Sequence, residues 1–274
     1  MKLYLVRHGQ SAGNLPGRMT GWSEHPLTTL GTTQARRVAA RLAPLGPMAV
    51  YASDLPRALD TARLIAAGWV GAKTPLHPAI EPPSKPPVPP PGQPPADAEA
   101  ARVAAAVTCD RRLREIDLGD YEGRSWDEFA ADRALADAFT RAPLHTTLPG
   151  GESLAMLRER VIAAFEEIVG GGQDIACLVS HDGPIRTILN HVLQVPPERH
   201  WALSTSHGGL SLLETSAGWV SVRFVNDTSH LFGLDTGGDD AGNAADAGQA
   251  TDAGQATDVA IATDVGKSAD PASN

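Results

Sequence analysis

The stretches YLVRHG, residues 4–9, and CLVSHDG, residues 177–183, share one design: an apolar run of strand length that delivers a histidine into a Gly-containing turn. In open parallel sheets ligands gather at the carboxyl ends of the strands, so two such runs in one sheet would bring His8 and His181 to one crevice. A single histidine in such a place more often satisfies local hydrogen bonds; it is the repetition that points to a site. A third run, residues 48–52, leads into Ser53-Asp54-Leu55-Pro56-Arg57, with Arg57 near the start of the next helix. Arg57 and Arg7 offer guanidinium forks matched to phosphate oxygens, and backbone N–H groups at Gly9 and at the helix entrance would add to them.

Outward from these runs, apolar residues alternate between strand and helix periods. Ala35, Val38, Ala39 and Leu42 fall on one helical face within residues 33–42, and residues 55–65 read as a second helix. Ser153 is placed to cap a third, whose Leu154, Leu157, Val161, Phe165 and Ile168 recur at three- and four-residue steps until Gly170 to Gly172 stop it. The strand at 175–179 is followed by a turn and a helical stretch through Ile185 and Leu189, and residues 210–225 supply an antiparallel element. This alternation predicts an α/β fold, a three-layer α/β/α sandwich with a mostly parallel central sheet.

Two segments stand apart. Eleven prolines between Pro75 and Pro95 exclude helix and central strand, so a Pro-rich insertion at about 75–100 is expected to run extended over the surface, as a flap or as a tolerated loop. Residues 235–274 form an acidic low-complexity tail with a six-residue period, DAGQAT at 246 and 252 and DVAIAT at 258, and are expected to be disordered. The tail holds eight Asp and one Lys, so it carries −7 of the net charge of −9 and leaves the domain at 1–234 near neutral. A near-neutral body gives no field for nucleic acid. No apolar run reaches the ~20 residues that span a bilayer, and the opening MKLYLVRHG resembles neither leader nor anchor, so a cytoplasmic protein without a membrane partner is expected. Cys109 and Cys177 lack C-x-x-C spacing and are read as free thiols. No feature of the sequence specifies an oligomeric state.

Taken with their neighbours, these residues resemble the histidine phosphatase superfamily, which includes the cofactor-dependent phosphoglycerate mutases. Arg7-His8-Gly9-Gln10-Ser11 with Asn14 looks like its signature. In order follow Thr20-Gly21-Trp22, Pro26-Leu27-Thr28 with Gly31, Ser53-Asp54-Leu55 with Arg57 and Thr61-Ala62, and Leu113-Arg114-Glu115 with Gly119 and Glu122-Gly123. Pro149-Gly150-Gly151-Glu152-Ser153, Ser180-His181, and Asn226 with His230-Leu231 complete the set, over residues 1–74 and about 109–232.

The resemblance implies a phosphohistidine mechanism that needs no metal and no cofactor. His8 would be the nucleophile, Arg7, Arg57 and His181 would hold the phosphoryl group, Glu115 would donate the proton, and Asn14, Thr20 and Gly21 would line the substrate side. A neutral imidazole is a competent nucleophile near pH 7, and phosphoryl transfer asks mainly for positioning and charge stabilisation. Asp182 departs from the family, where Gly is more usual; its backbone N–H would still reach phosphate, while its carboxylate would repel phosphate unless it points away.

Other routes lack their motifs: there is no G-x-S-x-G elbow, Walker loop or H-E-x-x-H pattern, and Glu115 stands where a cysteine phosphatase built on Cys109 would need Arg. Within the family a mutase carries an adjacent Arg pair after the Glu motif, whereas residues 123–149 hold Arg124, Arg133 and Arg141 with no adjacent pair. The expectation is therefore a phosphatase acting on a small phosphorylated metabolite, such as a phosphoglycerate, a sugar phosphate or α-ribazole phosphate. A mutase and a non-catalytic phospho-ligand-binding module are the alternatives.

Overall fold

The structure is a computed structural model that describes residues 1–14, 18–70, 106–216 and 218–234; the Pro-rich insertion and the acidic tail lie outside the described residues. Six strands form one sheet in the order β3-β2-β4-β1-β5-β6: β1 (Lys2–Arg7), β2 (Ala49–Ala52), β3 (Val107–Cys109), β4 (Ile175–Ser180), β5 (Leu210–Ser216) and β6 (Trp219–Asp227). The first four are parallel, and β5 runs against both β1 and β6. Arg7 pairs with Ser180 at the ends of β1 and β4, so the next residues, His8 and His181, leave the sheet side by side.

Strand alternation feeds two cores, one on each face. Leu3 and Leu5 of β1 with Ala176 and Leu178 of β4 pack against α5 (Leu154–Gly170) and α6 (Asp182–Leu193) through Leu157, Val161, Ile185 and Ile188. On the other face Tyr4, Val6, Cys177 and Val179 meet Val38 and Leu42 of α1 (Thr29–Leu42) and Ala58, Ala62 and Ile65 of α2 (Pro56–Val70). Each large aliphatic side chain so buried contributes about 1.5–3 kcal/mol. The two cores hold the strand ends rigidly, and the site inherits that precision.

The helices begin where caps allow. Thr28 accepts from the Gly31 N–H and starts α1 four residues before the apolar periodicity does, and Pro56 occupies the first turn of α2, where its missing N–H costs nothing. Ser153 caps α5 as predicted, accepting from the Met156 N–H. After β4 there is no separate turn: His181 is itself the N-cap residue of α6, and Asp182 and Gly183 belong to its first turn. The periodicity did not disclose β3, or the short helices α3 (Trp126–Ala131) and α4 (Arg133–Arg141). A three-residue strand and a six-residue helix hold too few positions to show a period; α3 is marked instead by the capping box of Ser125 and Glu128. Both thiols are free, Cys177 inside the core and Cys109 exposed. No helix among the described residues is long and apolar enough to cross a membrane.

Candidate active site

His8 follows the last residue of β1 and is 2% exposed. Its Nδ1 lies 2.7 Å from the Gly9 carbonyl, an acceptor only, so Nδ1 must carry the proton. Nε2 is then left with its lone pair, toward which the Arg57 Nε–H donates at 3.3 Å. Both contacts demand the same tautomer, the one that presents Nε2 as nucleophile. Burial, then the neighbouring His181, Arg57, His207 and Arg7, hold the His8 imidazole well below its ordinary pKa, so it is neutral at pH 7.

His181 packs edge-on against His8 with ring centroids 4.9 Å apart. Its Nε2 lies 2.8 Å from Ser53 Oγ, while its Nδ1 is buried without a partner. Burial, with Arg57 and Arg7, keeps this imidazole neutral as well. Arg57, 1% exposed at the start of α2, donates through Nη1 to the Ser23 carbonyl at 2.8 Å and through Nη2 to the Gly21 carbonyl at 2.6 Å. Burial draws its guanidinium down to about 10, so it stays charged at neutral pH. Arg7 donates through Nη1 to the Thr205 carbonyl, and its buried Nε has no partner. The structure thus brings together all five residues expected to carry the chemistry.

Glu115 lies on the loop after β3. Its Oε1 accepts from the Ile116 N–H at 2.9 Å and its Oε2 from the Gly183 N–H at 3.3 Å. Burial, then the nearby Asp182 carboxylate, raises its pKa against those two N–H groups and Arg57. The shift is toward the protonated form, the direction a general acid requires. Its backbone is pinned by Arg160, which donates to the Glu115 carbonyl at 2.7 Å while paired with Glu152, and by the Trp22 indole N–H, also at 2.7 Å.

The substrate-side expectations need correction in detail. The Gly9 N–H donates to Thr61 Oγ1 at 3.1 Å, so what Gly9 supplies is the carbonyl that orients His8. Glycine is required there because a Cβ would stand 2.3 Å from the Gly31 carbonyl oxygen. Gly21 is likewise committed: its N–H donates to Glu122 at 2.9 Å and its carbonyl accepts from Arg57. Glu122 also receives the N–H groups of Trp22 and Ser23, so residues 21–23 are clamped between a carboxylate and Arg57. Thr20 Oγ1 donates to the Gly13 carbonyl at 2.6 Å, and Asn14 Oδ1 accepts from the Ser11 hydroxyl at 2.6 Å. The Asp182 carboxylate points away, accepting from Arg186 at 2.6 Å and from the Thr205 N–H and hydroxyl.

One residue was missed. His207, 7% exposed, lies with its ring centroid 5.5 Å from that of His8, and its Nε2 is buried and unpartnered. The strand-end rule looks at carboxyl ends, and His207 precedes β5. Because β5 is antiparallel to β1, its start lies at the edge where β1 and β4 finish. The readable signal was that reversal.

Comparison with known proteins agrees with this geometry. The chain is 30% identical over 244 residues to a protein of Enterobacter sp. (strain 638) named "Probable phosphoglycerate mutase GpmB", covering 84% of this chain and 95% of that one. Among solved structures it resembles Bacillus stearothermophilus YhfR, with a TM-score of 0.67 at 27% identity over 84% of this chain and 98% of that one. It also resembles a mycobacterial glucosyl-3-phosphoglycerate phosphatase studied with VO3, with a TM-score of 0.62 at 25% identity over 83% and 99%. The alpha-ribazole phosphatase of Shigella flexneri shares the fold, with a TM-score of 0.63 at 22% identity over 86% and 100%. The model of the histidine phosphatase superfamily (branch 1) matches residues 3–79 and 95–228, and the chain belongs to that superfamily.

Proposed function

We propose that the protein is a metal-independent phosphatase that hydrolyses a small phosphomonoester through a phosphohistidine on His8. The observation that carries this reading is the set of groups near His8: Arg57 donates to its Nε2, His181 packs edge-on against its ring and Arg7 adds a second neighbouring guanidinium, with Arg7 Nε and His181 Nδ1 unpartnered, while the half-buried Glu115 near Arg57 has a raised pKa. Buried polar atoms are nearly always satisfied, so unpartnered nitrogens converging beside a neutral imidazole fit the oxygens of a phosphoryl group.

In the first half-reaction His8 Nε2 attacks phosphorus, the P–O bond to the leaving group breaks, and Glu115 protonates the departing oxygen. Arg7, Arg57 and His181 hold the three equatorial oxygens, whose charge the guanidinium groups offset. In the second, Glu115 takes a proton from water as its oxygen attacks phosphorus and the N–P bond breaks, which releases phosphate and restores neutral His8.

The name of the curated relative favours a second reading, a phosphoglycerate mutase that returns the phosphoryl group to a substrate oxygen instead of water. Against it stands the interval after the Glu motif, where Arg124 lies over the Tyr121 ring and Arg133 and Arg141 occupy opposite ends of α4, so no adjacent Arg pair awaits a carboxylate. The test is phosphate release from a panel of phosphomonoesters with excess chelator, comparing wild type with His8→Ala. Chelator-resistant release lost in the variant supports the phosphatase. Absence of release, with interconversion of phosphoglycerates after priming by the bisphosphate, would replace it with the mutase.

A further inference from the structure

Asp182 is fully engaged, yet with no group that would touch a substrate. It heads a chain of contacts from α6 back to the end of β1. Its Oδ2 accepts from Arg186 Nη2 at 2.6 Å, and its Oδ1 accepts from the Thr205 N–H at 3.2 Å and from Thr205 Oγ1 at 2.8 Å. The Thr205 carbonyl accepts from Arg7 Nη1. Two residues on lies His207, against His8, and the Gly208 N–H then donates to the carbonyls of Arg7 and His8 at 3.1 and 3.2 Å. The stretch 205–208 that wraps the end of β1 is therefore tied to α6 by the Asp182 carboxylate, while Asn190 and Arg186 of the same helix hold the preceding residues His200 and Trp201.

The first turn of α6 also reaches the acid: Gly183, the residue after Asp182, donates its N–H to Glu115, and the Asp182 charge acts on the Glu115 carboxyl across that turn. The charged groups near Glu115 include Arg57 from α2, with Glu122 on its far side, Arg160 from α5 paired with Glu152, Arg114 paired with Asp54, Asp117 two residues along the chain, and Asp182. Asp182 is the carboxylate that acts most strongly on Glu115, and it is held ionised: burial would push its carboxyl up, but Arg186, Arg7 and the Thr205 donors outweigh burial and lower it.

We propose that Asp182 is a positioning residue with two tasks: through Thr205 it fixes the guanidinium of Arg7, and its charge keeps the proton on Glu115 until the leaving group takes it. The inference rests on the phosphatase reading for its second task only.

Two readouts separate the tasks. The first is calorimetric binding of inorganic phosphate at pH 7, which needs no turnover. Asp182→Ala weakens binding about tenfold, the scale of one charge-assisted hydrogen bond. Thr205→Val, which keeps the backbone and the charge, weakens it several-fold and serves if the alanine variant fails to fold. Asp182→Asn, which keeps an acceptor for Thr205, binds as tightly as wild type or more tightly.

The second readout is the pH profile of kcat on an alkyl phosphate and on p-nitrophenyl phosphate. Removing the negative neighbour lowers the pKa of Glu115, so Asp182→Asn shifts the alkaline limb to lower pH. The variant then loses more activity at pH 7 on the alkyl ester, which needs the proton, than on the nitrophenyl ester, which does not. Unchanged phosphate affinity in both Asp182→Ala and Thr205→Val would overturn the first task. An alkaline limb that stays in place in Asp182→Asn, or equal losses on the two esters, would overturn the second. A wild type that binds phosphate but hydrolyses neither ester would refute the phosphatase reading and the second task together, while the calorimetry would still decide the first.

Discussion

The ends of β1 and β4 are near copies in sequence, and the structure puts their histidines to different uses. At the end of β1 the Gly9 carbonyl captures His8 Nδ1, so Nε2 is the atom presented at Arg57. At the end of β4 the helix begins at once, the capturing group is Ser53 from the neighbouring strand end, and it takes Nε2, which leaves Nδ1 without a partner. One imidazole is locked in a single tautomer with its lone pair facing the Arg57 Nε–H. The other is held by a hydroxyl that can donate or accept, so it can take the tautomer that gives a proton to an oxyanion. In the proposed mechanism the local partner of one ring nitrogen is what distinguishes nucleophile from oxyanion ligand.

The comparison breaks most readily at His8. His8→Ala should reduce turnover to background with the melting temperature little changed, measured as phosphate release and by calorimetry. Glu115→Gln should slow alkyl phosphates by about 10²–10⁴-fold, the usual share of general acid catalysis, and slow p-nitrophenyl phosphate far less. His181→Ala should cost about 10²–10³-fold in kcat, as for loss of one oxyanion donor, while still forming phosphohistidine. Equal and total loss in the His8 and His181 variants, with no covalent intermediate in either, would erase the distinction. Ser53→Ala should sharpen it: losing a neutral hydrogen bond worth about 1 kcal/mol frees the His181 ring and should lower kcat several-fold, leaving the His8 tautomer intact.

The smallest effect is on stability and comes from the two strand-end histidines together with His200 and His207. His8, His181, His200 and His207 all have folded-state pKa values below their ordinary 6.5, with burial as the first cause and His200 drawn down to about 3. The unfolded chain therefore binds more protons at acid pH. The stability these groups contribute is complete above about pH 6.5 and is lost as the pH falls below it, by up to about 1.4 kcal/mol per pH unit for each imidazole. Thermal melts should show a midpoint that declines steadily below pH 6.5, less steeply in His200→Gln.

Much of this was legible before any coordinates. Uninterrupted apolar runs at residues 3–6 and 175–179, and helical periods in α1, α2 and α5, were enough for an α/β sandwich, because burial on two faces leaves a direct trace in composition. The five residues expected to carry the chemistry stood out as candidates because they lie at strand ends and helix starts or within ordered motifs. What escaped depends on pairings between distant segments: the clamp of Glu122 on residues 21–23, the bracing of Glu115 by Arg160 and Glu152, and the reach of Asp182 to Thr205. Gly9 was read as a backbone donor to phosphate from its place at a strand end and Gly21 as part of the substrate lining, and only the register of neighbouring loops shows their N–H groups already spent on Thr61 and Glu122. His207 escaped because the strand-end rule assumes that every strand points the same way.

The most direct measurement is to trap the covalent intermediate. The enzyme is mixed with a fast-leaving aryl phosphate and quenched in alkali, where phosphohistidine survives; the modified residue is mapped by peptide mass spectrometry and the ring position assigned by phosphorus NMR. The account predicts a single phosphohistidine at His8, bonded through Nε2, and none in His8→Ala. A label on His181 or His207, bonding through Nδ1 of His8, or full turnover with no labelled histidine would contradict it.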